Sequence, residues 1–284
     1  MKLCRFQHPS GSVALGLITD DESILDVTGT VSSLTELLEA EDLTARVSAL
    51  IKEDHKCHAI DSVRLLAPVE RQEVWAAGVT YLRSKKARMD ESEFSANAYD
   101  KVYDAARPEL FFKALAEKVA GPGEAVGIRA DAKWNVPEPE LAFVINSRGQ
   151  IAGFTIGNDM SSRDIEGENL LYLPQAKIYR NSCALGPWVV VGVTEAEARQ
   201  WSVKLAIRRG EATAFEGATS IAQLKRPFNE LVEYLFRSQS FPHGVVLLTG
   251  TGIVPPEQFT LQAQDRVSIT ISGVGALENT VTVV

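Results

Sequence analysis

Three acidic residues stand close together in two neighbouring apolar segments of this 284-residue chain. Glu138 and Glu140 are two positions apart at the start of an apolar run over 141–145, a pattern that predicts a strand with both carboxylates on one side. A second apolar run over 151–157 leads to Asp159. The spacing therefore predicts two strands that carry acidic side chains at one end.

The polar segment between the two runs predicts a tight turn. A hairpin centred between Arg148 and Gly149 brings Asp159 opposite Glu138. Cross-strand neighbours lie roughly 5 Å apart, so three anions would repel strongly there unless a cation or a proton intervenes. An all-oxygen site of this kind suits Mg²⁺, with Mn²⁺ or Ca²⁺ as alternatives, better than Zn²⁺.

Solvated acids at a strand end are the alternative interpretation. Two features of the sequence argue against it. Both runs are apolar at successive positions, which is typical of strands covered on both faces. Pro137 and Pro139 lack an N–H, so the strand is expected to begin unpaired, where a ligand can approach.

The composition of the chain limits the kinds of partner that it can bind. The chain is 45% hydrophobic, with 29 basic and 37 acidic side chains and a net charge of -8. Without a basic cluster, binding to nucleic acid or to an anionic membrane surface is not expected, which leaves a small-molecule partner. Three widely spaced cysteines and a first segment unlike a signal peptide predict a cytoplasmic protein.

The order of the segments predicts an α+β, β-rich fold with two parts. Residues 1–68 combine short strands with one helix over 34–52, and are expected to form a small N-terminal α/β domain. Residues 69–284 are rich in short strands and Gly/Pro punctuation, with one clear helix over 228–237. The polar segment 83–107 is compatible with a lid or with a solvated surface helix.

Seven motifs, in order, resemble those of the fumarylacetoacetate hydrolase family. They are Ala77-Gly78-Val79-Thr80-Tyr81, Arg107-Pro108-Glu109-Leu110-Phe111-Phe112-Lys113, Glu138-Pro139-Glu140-Leu141, Gly157-Asn158-Asp159-Met160-Ser161-Ser162-Arg163-Asp164, Gly186-Pro187-Trp188, Leu248-Thr249-Gly250-Thr251 and Gly273-Val274-Gly275-Ala276-Leu277-Glu278-Asn279. The resemblance covers roughly residues 70 to 284. It implies a mixed β-roll, and a Mg²⁺ or Mn²⁺ site made by Glu138, Glu140 and Asp159.

One departure from the family pattern bears on the reaction. Members that cleave carbon–carbon bonds often carry a histidine and a glutamate that activate water, and the corresponding positions here are Ser84 and Ala87. His243 is the remaining candidate for a general base, with a loop histidine as the alternative. The absence of both residues makes a hydrolase less favoured. A hydrolase, isomerase or oxaloacetate decarboxylase acting on an acylpyruvate or a related dicarboxylate is the second hypothesis.

The segments 161–169 and 172–177 are similar to the 2-keto-3-deoxy-D-arabinonate dehydratase branch of the family. This resemblance implies a metal-dependent hydro-lyase acting on a 2-oxo sugar acid. A 2-oxo carboxylate that chelates the cation gains an acidic C3 proton, and the enolate can then expel the C4 hydroxyl. With a 5-hydroxylated substrate the product is 2,5-dioxopentanoate.

The resemblance also assigns roles to individual side chains. Lys177 matches a family lysine beside the metal, where a nearby cation favours the neutral amine that could move a proton at C3, with a solvated surface lysine as the alternative. Glu166 could assist departure of the C4 hydroxyl, or could be an ordinary acid in the first turn of a helix.

Five further residues are expected to contact the substrate. Arg163 could hold a substrate carboxylate or the metal-bound acids, with a structural salt bridge as the alternative. Thr251 would present its hydroxyl and backbone N–H to the substrate carboxylate. Arg83, Ser84 and Lys113 are expected to meet the distal part of the substrate. Apolar strand surfaces in such a roll are often covered by a second subunit, so a homodimer or homotetramer is expected.

Overall fold

A computed structural model describes residues 1–19, 23–82 and 102–284. The first part of the chain contains five strands and two short helices. In chain order they are β1 (Lys2–Gln7), β2 (Val13–Ile18), β3 (Ser23–Asp26), α1 (Leu34–Leu38), α2 (Leu43–Leu50), β4 (Lys56–Ala59) and β5 (Arg64–Leu66).

The rest of the described chain is built mainly from strands. The elements up to the middle of the chain are β6 (Glu73–Gly78), β7 (Glu109–Ala114), β8 (Val119–Ala120), β9 (Ala125–Ile128), β10 (Asn135–Val136), β11 (Pro139–Ile145), β12 (Ile151–Asp159), β13 (Ser161–Ser162), α3 (Arg163–Glu168), α4 (Leu173–Lys177) and β14 (Cys183–Val190). They are followed by α5 (Glu195–Ala198), β15 (Ser202–Arg209), β16 (Ala212–Ser220), α6 (Phe228–Phe236), β17 (Val245–Leu248), β18 (Arg266–Ile271) and β19 (Gly275–Val283).

Among the described residues the strands form two large mixed sheets and one small ribbon. The larger sheet has the order β4-β3-β2-β1-β14-β12-β11-β17-β6-β7, with β5 on β1 and β8 on β14. The second sheet has the order β16-β15-β18-β19-β9, and β10 pairs with β13. Most neighbours are antiparallel, while β6 with β17, β8 with β14 and β9 with β19 are parallel. The predicted β-rich α+β fold is therefore confirmed.

The hairpin of β11 and β12 has the predicted register over most of its length. Pro139 faces Asn158 and Val144 faces Gly153, as expected for Asp159 opposite Glu138. The backbone N–H of Asp159 donates to the carbonyl of Glu138 at 3.0 Å. Next to the turn the register shifts by one residue, because a bulge separates Val144 from the next pair.

The hairpin lies in the apolar core on both of its faces. All seven residues of β11 are buried, which is the pattern expected for a strand covered on two sides. On one face Phe143 contacts the rings of Phe154 and Phe228 at centroid distances of 5.7 and 4.5 Å. On the other face Ala142 and Val144 belong to a separate apolar cluster. Packing on both faces fixes the position of the strand that carries the acids.

The N-terminal part continues the larger sheet. Strand β1 pairs with β14 through Lys2 with Val190 and Leu3 with Val189. Leu3 also shares an apolar cluster with Ala142 of β11. The boundary at residue 68 stays a prediction, and hydrogen bonds between β1 and β14 link the two predicted parts.

The prediction of a single helix over 34–52 is wrong. The first helix ends where the guanidinium of Arg148, from the β11–β12 turn, donates to the carbonyls of Glu39 and Ala40 at 3.0 and 3.3 Å. The second helix starts anew at Asp42, whose carboxylate accepts from the N–H of Ala45 at 2.9 Å. The apolar residues over 34–52 repeat with a single helical period, but the contact with Arg148 and the new N-cap at Asp42 separate them into two helices, α1 and α2.

The helix predicted over 228–237 is confirmed as α6. One of the two interpretations of Glu166 was an acid in the first turn of a helix, and Glu166 does lie in the first turn of α3. The short helices α4 and α5 were not predicted. Four to six residues are too few for a clear helical period. Most of the segment that the sequence leaves open as a lid or a solvated surface helix, residues 83–101, lies outside the described residues. In the part that is described, no helix has the length and apolar character needed to span a membrane.

We expect Phe143→Ala to lower the free energy of unfolding by about 3–5 kcal/mol, because it leaves a cavity among the rings behind the hairpin. Urea denaturation followed by tryptophan fluorescence measures this change. Tyr172→Ala changes a residue that is 36% exposed and serves as the control, with an expected loss of less than about 1 kcal/mol. Equal losses in the two variants would contradict the role given to Phe143.

Candidate metal centre

The three predicted acids meet at one end of the β11–β12 hairpin. Glu138 immediately precedes β11, Glu140 is its second residue and Asp159 is the last residue of β12. Their side chains offer carboxylate oxygens that all lie within 4.8 Å of one another. All three residues are buried, with 4% or less of their surface exposed. The prediction that the hairpin brings these acids together is thus correct.

Lys177 lies directly against the acids. It is the last residue of α4, and its Nζ contacts Glu138 Oε2 at 2.5 Å and Asp159 Oδ2 at 3.2 Å. The same amine contacts the hydroxyl of Ser161 at 2.5 Å. Because Lys177 is 1% exposed, its charge is balanced almost entirely by these side chains.

Lys113 approaches the site from the opposite side of Asp159. Its Nζ lies 2.5 Å from Asp159 Oδ1 and donates to the carbonyls of Met160 and Lys177 at 2.9 and 2.5 Å. Two backbone carbonyls therefore accept hydrogen bonds from this ammonium group, and Asp159 forms an ion pair with it. The expected contact of Lys113 with the distal part of a substrate stays a prediction, whereas the observed contacts support a role in positioning Asp159.

Arg163, the first residue of α3, holds Glu138. Its Nη1 lies 3.2 Å from Glu138 Oε1. The backbone N–H of Arg163 donates to the carbonyl of Trp134 at 2.7 Å, and its guanidinium lies 5.3 Å from the centre of the Trp134 ring. Of the roles considered for Arg163, the contacts support the one in which it binds a metal-site acid.

Glu140 is held by a loop. The N–H of Gly250 donates to Glu140 Oε2 at 2.6 Å. Gly250 has a φ of +89°, and a Cβ at this position would lie 2.0 Å from Thr80 Oγ1, so a side chain would not fit. Thr80 in turn donates to the carbonyl of Thr249 at 2.6 Å. It follows Val79, whose φ of +52° is unusual for a β-branched residue.

The donor set fits a hard divalent cation. Burial, together with the neighbouring carboxylates Asp159 and Glu138, raises the pKa of Glu140 well above its usual value. A divalent cation reverses this effect because it favours the ionised form of all three acids. Carboxylate oxygens are the preferred ligands of Mg²⁺, Ca²⁺ and Mn²⁺. Glu138, Glu140 and Asp159 are therefore the residues that would hold the metal.

The structure describes two of the four remaining residues that were predicted for the site. Glu166 is on α3 and is 1% exposed. Thr251 is buried in the loop after β17, where its Oγ1 exchanges hydrogen bonds with the backbone of Ile253 at 3.2 Å. Its expected contact with a substrate stays a prediction. Arg83 and Ser84 lie outside the described residues.

His243 is distant from the acids. It precedes β17, whose Val245 pairs with Ile145 at the turn end of the hairpin. Glu140 is five residues away from Ile145 along β11, which corresponds to about 17 Å. His243 therefore cannot act as a base at this site without a large rearrangement.

The structure brings in residues that the sequence did not indicate. Ser161 binds Lys177, Trp134 lies under Arg163, and Thr80 supports the loop whose N–H binds Glu140. Ser161 and Thr80 occur in the motifs quoted above, which is a weak signal for their positions. Trp134 stands four residues before Glu138, and nothing in that spacing indicates its contact with Arg163.

Several known proteins are similar to this chain. A probable 2-keto-3-deoxyxylonate dehydratase of Haloferax volcanii is 48% identical over 217 residues, which cover 76% of this chain and 74% of that protein. A 2-dehydro-3-deoxy-D-arabinonate dehydratase of Saccharolobus solfataricus is 41% identical over 225 residues, 78% of this chain and 76% of that protein.

A solved structure supports the same relationship over the whole chain. It is a 2-keto-3-deoxy-D-arabinonate dehydratase complexed with magnesium and 2,5-dioxopentanoate. It has a TM-score of 0.85 and 34% identity to this chain, with 100% of this chain and 99% of that chain covered. Residues 73–282 match the family model described as fumarylacetoacetate (FAA) hydrolase C-terminal, and the chain therefore belongs to the fumarylacetoacetate hydrolase family.

Proposed function

We propose that this protein is a Mg²⁺-dependent dehydratase of a 2-keto-3-deoxy sugar acid, of the 2-keto-3-deoxy-D-arabinonate type, with 2,5-dioxopentanoate as product. The observation that carries this proposal is the amine of Lys177, which lies 2.5 Å from Glu138 and 3.2 Å from Asp159 within the three-carboxylate cluster. A lysine beside a metal site can serve as a base for a proton next to a carbonyl. The names of the relatives supply the class of substrate.

The charges of the site support an anionic substrate. Lys113, Arg163 and Lys177 contact Glu138 and Asp159, and together with Glu140 these six side chains are formally neutral when all of them are ionised. A divalent ion would add two positive charges to a buried region, which is unfavourable unless they are compensated. The carboxylate of a 2-oxo acid supplies one negative charge, and loss of a proton from Lys177 removes one positive charge.

The chain's own groups would then carry the proton transfers. When bound, Mg²⁺ supplies Lewis-acid polarisation of the substrate C2 carbonyl, which makes the C3 proton more acidic. Neutral Lys177 removes that proton. Glu166, buried on α3, donates a proton to the departing C4 hydroxyl, which leaves as water. Arg163 and Lys113 keep Glu138 and Asp159 in position during these transfers.

We further propose that the protein works in the cytoplasm as a homodimer or homotetramer. Free thiols at Cys4, Cys57 and Cys183 are compatible with a reducing compartment. Light scattering of the purified protein measures its mass in solution, and we expect at least twice the 31.0 kDa of one chain.

We expect Asp159→Asn to reduce Mg²⁺-dependent formation of the aldehyde product by at least about 100-fold, because the site loses one of three anionic ligands. Turnover of 2-keto-3-deoxy-D-arabinonate with and without Mg²⁺ measures this loss, and calorimetry measures the matching loss of Mg²⁺ affinity.

Asp131→Asn is the matched control for this experiment. Asp131 is an exposed acid that pairs with Arg129 and does not contact the three carboxylates, so its removal should leave both measurements unchanged. Full activity of Asp159→Asn with its fold intact would exclude the metal-site assignment. Activity of the wild-type protein on an acylpyruvate alone would exclude the dehydratase.

We expect Lys177→Arg to lower kcat by roughly 10²- to 10⁴-fold, because arginine keeps the positive charge but cannot become a neutral base. The readout specific to this role is exchange of the substrate C3 hydrogen with deuterium from the solvent, which should be lost together with turnover. Mg²⁺ affinity should also fall, because arginine cannot lose the proton that offsets one charge of the ion, so both readouts are taken at saturating Mg²⁺.

Lys118→Arg, at an exposed lysine, is the control and should keep wild-type exchange. If Lys177→Arg still exchanges the C3 hydrogen at the wild-type rate, Lys177 is not the base.

A further inference from the structure

A second group of metal-ligating side chains lies in the N-terminal part of the chain. His8 follows β1, Asp26 ends β3 and His58 is in β4. Strands β1, β2, β3 and β4 are consecutive neighbours in the larger sheet, so residues distant in sequence meet at one edge region. Each of the three residues offers one ligand atom, and these atoms all lie within 4.8 Å of one another.

The two imidazoles approach the same carboxylate oxygen. His8 Nε2 lies 3.4 Å and His58 Nε2 lies 3.7 Å from Asp26 Oδ2. These separations are longer than the 2.7–3.2 Å typical of hydrogen bonds to oxygen. Ligands about 2.0–2.2 Å from a tetrahedral zinc ion are separated from each other by roughly 3.3–3.5 Å. The observed spacing is therefore better suited to an ion between the three side chains than to direct hydrogen bonds.

The carboxylate is held in the orientation that this arrangement needs. Asp26 Oδ1 accepts from the backbone N–H of Thr28 at 3.0 Å, which turns Oδ2 toward the imidazoles. Thr28 Oγ1 in turn accepts from the N–H of Leu15 on β2 at 3.0 Å. Such bonds to the second oxygen of a ligand are typical of the support that metal sites receive from surrounding groups.

The imidazoles are also fixed and only partly accessible. The ring of Phe6 packs edge-on against His8 at 4.9 Å, and the two histidine rings lie 4.8 Å apart at 64°. The His58 side chain is 13% exposed. Its Nε2 is buried and has no hydrogen-bond partner within residues 1–19, 23–82 and 102–284. An unsatisfied buried nitrogen directed at two other ligand groups requires an explanation.

We propose that His8, Asp26 and His58 form a second metal site that binds a divalent transition metal, with Zn²⁺ as the ion that fits best. Two imidazoles and one carboxylate suit Zn²⁺, whereas the all-carboxylate site suits Mg²⁺. The two sites therefore differ in chemistry. The new site also lies outside residues 73–282, which carry the family match.

The fourth ligand would come from the surface. A cavity of about 520 Å³ borders the cluster, with His8, His58, Ser10, Ser12 and Lys56 among its lining residues. Water can reach the ion there, and the Lys56 ammonium can attract a small anion as the fourth ligand. Bound zinc would connect the end of β1 to β3 and β4, which gives the site a stabilising role.

The test uses the full chain carrying Asp159→Asn, so that the carboxylate site is disabled, after removal of metals with a chelator. Calorimetric titration with Zn²⁺ should give one equivalent of binding. Titration with Co²⁺ should give the visible absorption of a four-coordinate ion with imidazole ligands. Adding His58→Ala or His8→Ala should weaken Zn²⁺ binding by at least about 100-fold and abolish the Co²⁺ absorption.

His55→Ala is the matched control, because the His55 ring is bonded to the Leu50 carbonyl at 2.7 Å and does not belong to the cluster. It should bind one equivalent of Zn²⁺. Circular dichroism of the metal-free proteins verifies folding, and His58→Gln replaces His58→Ala if the latter unfolds. Zn²⁺ binding that persists unchanged in the folded His8 and His58 variants, or that is absent from the Asp159→Asn protein, overturns the proposal.

Discussion

Three carboxylates buried within 4.8 Å of one another impose the main electrostatic constraint on this protein. Charges at such distances repel strongly in a medium less polar than water. Lys177 and Lys113 bind opposite oxygens of Asp159, Arg163 binds Glu138, and a backbone N–H binds Glu140. These groups come from four separate segments of the chain, so the site exists only where those segments meet. A divalent cation would add two positive charges to side chains that are already formally neutral, so an anionic substrate is needed to compensate it.

The hairpin makes this arrangement rigid. Its first strand, β11, is buried on both faces, against aromatic rings on one side and aliphatic side chains on the other. A shift of one residue would move every side chain of the strand to the opposite face and would turn Glu140 away from the other acids, so the site requires this register. The bulge near the turn changes the pairing only at the end remote from the acids. The core and the chemistry of the site therefore depend on the same two strands.

The N-terminal strands extend the same sheet but present different chemistry. Imidazole groups and one carboxylate gather there, whereas the hairpin end carries carboxylates alone. Ligand type separates the metals that the two places can hold, since hard ions prefer oxygen and zinc accepts nitrogen. A single continuous sheet can in this way support a reactive centre at one position and a stabilising site at another.

Local patterns in the sequence were sufficient for the hairpin, its acids and α6. A strand period of two, a polar turn and a clear helical period are short-range properties. The division of α1 from α2 was not predictable, because it depends on Arg148 from a distant turn. The sequence also did not predict that Lys113 contacts Asp159, or that His8, Asp26 and His58 lie together. By itself the sequence determined which residues share a face of a strand. Only tertiary packing decided which distant charges neutralise one another, because that depends on the order of strands in the sheet.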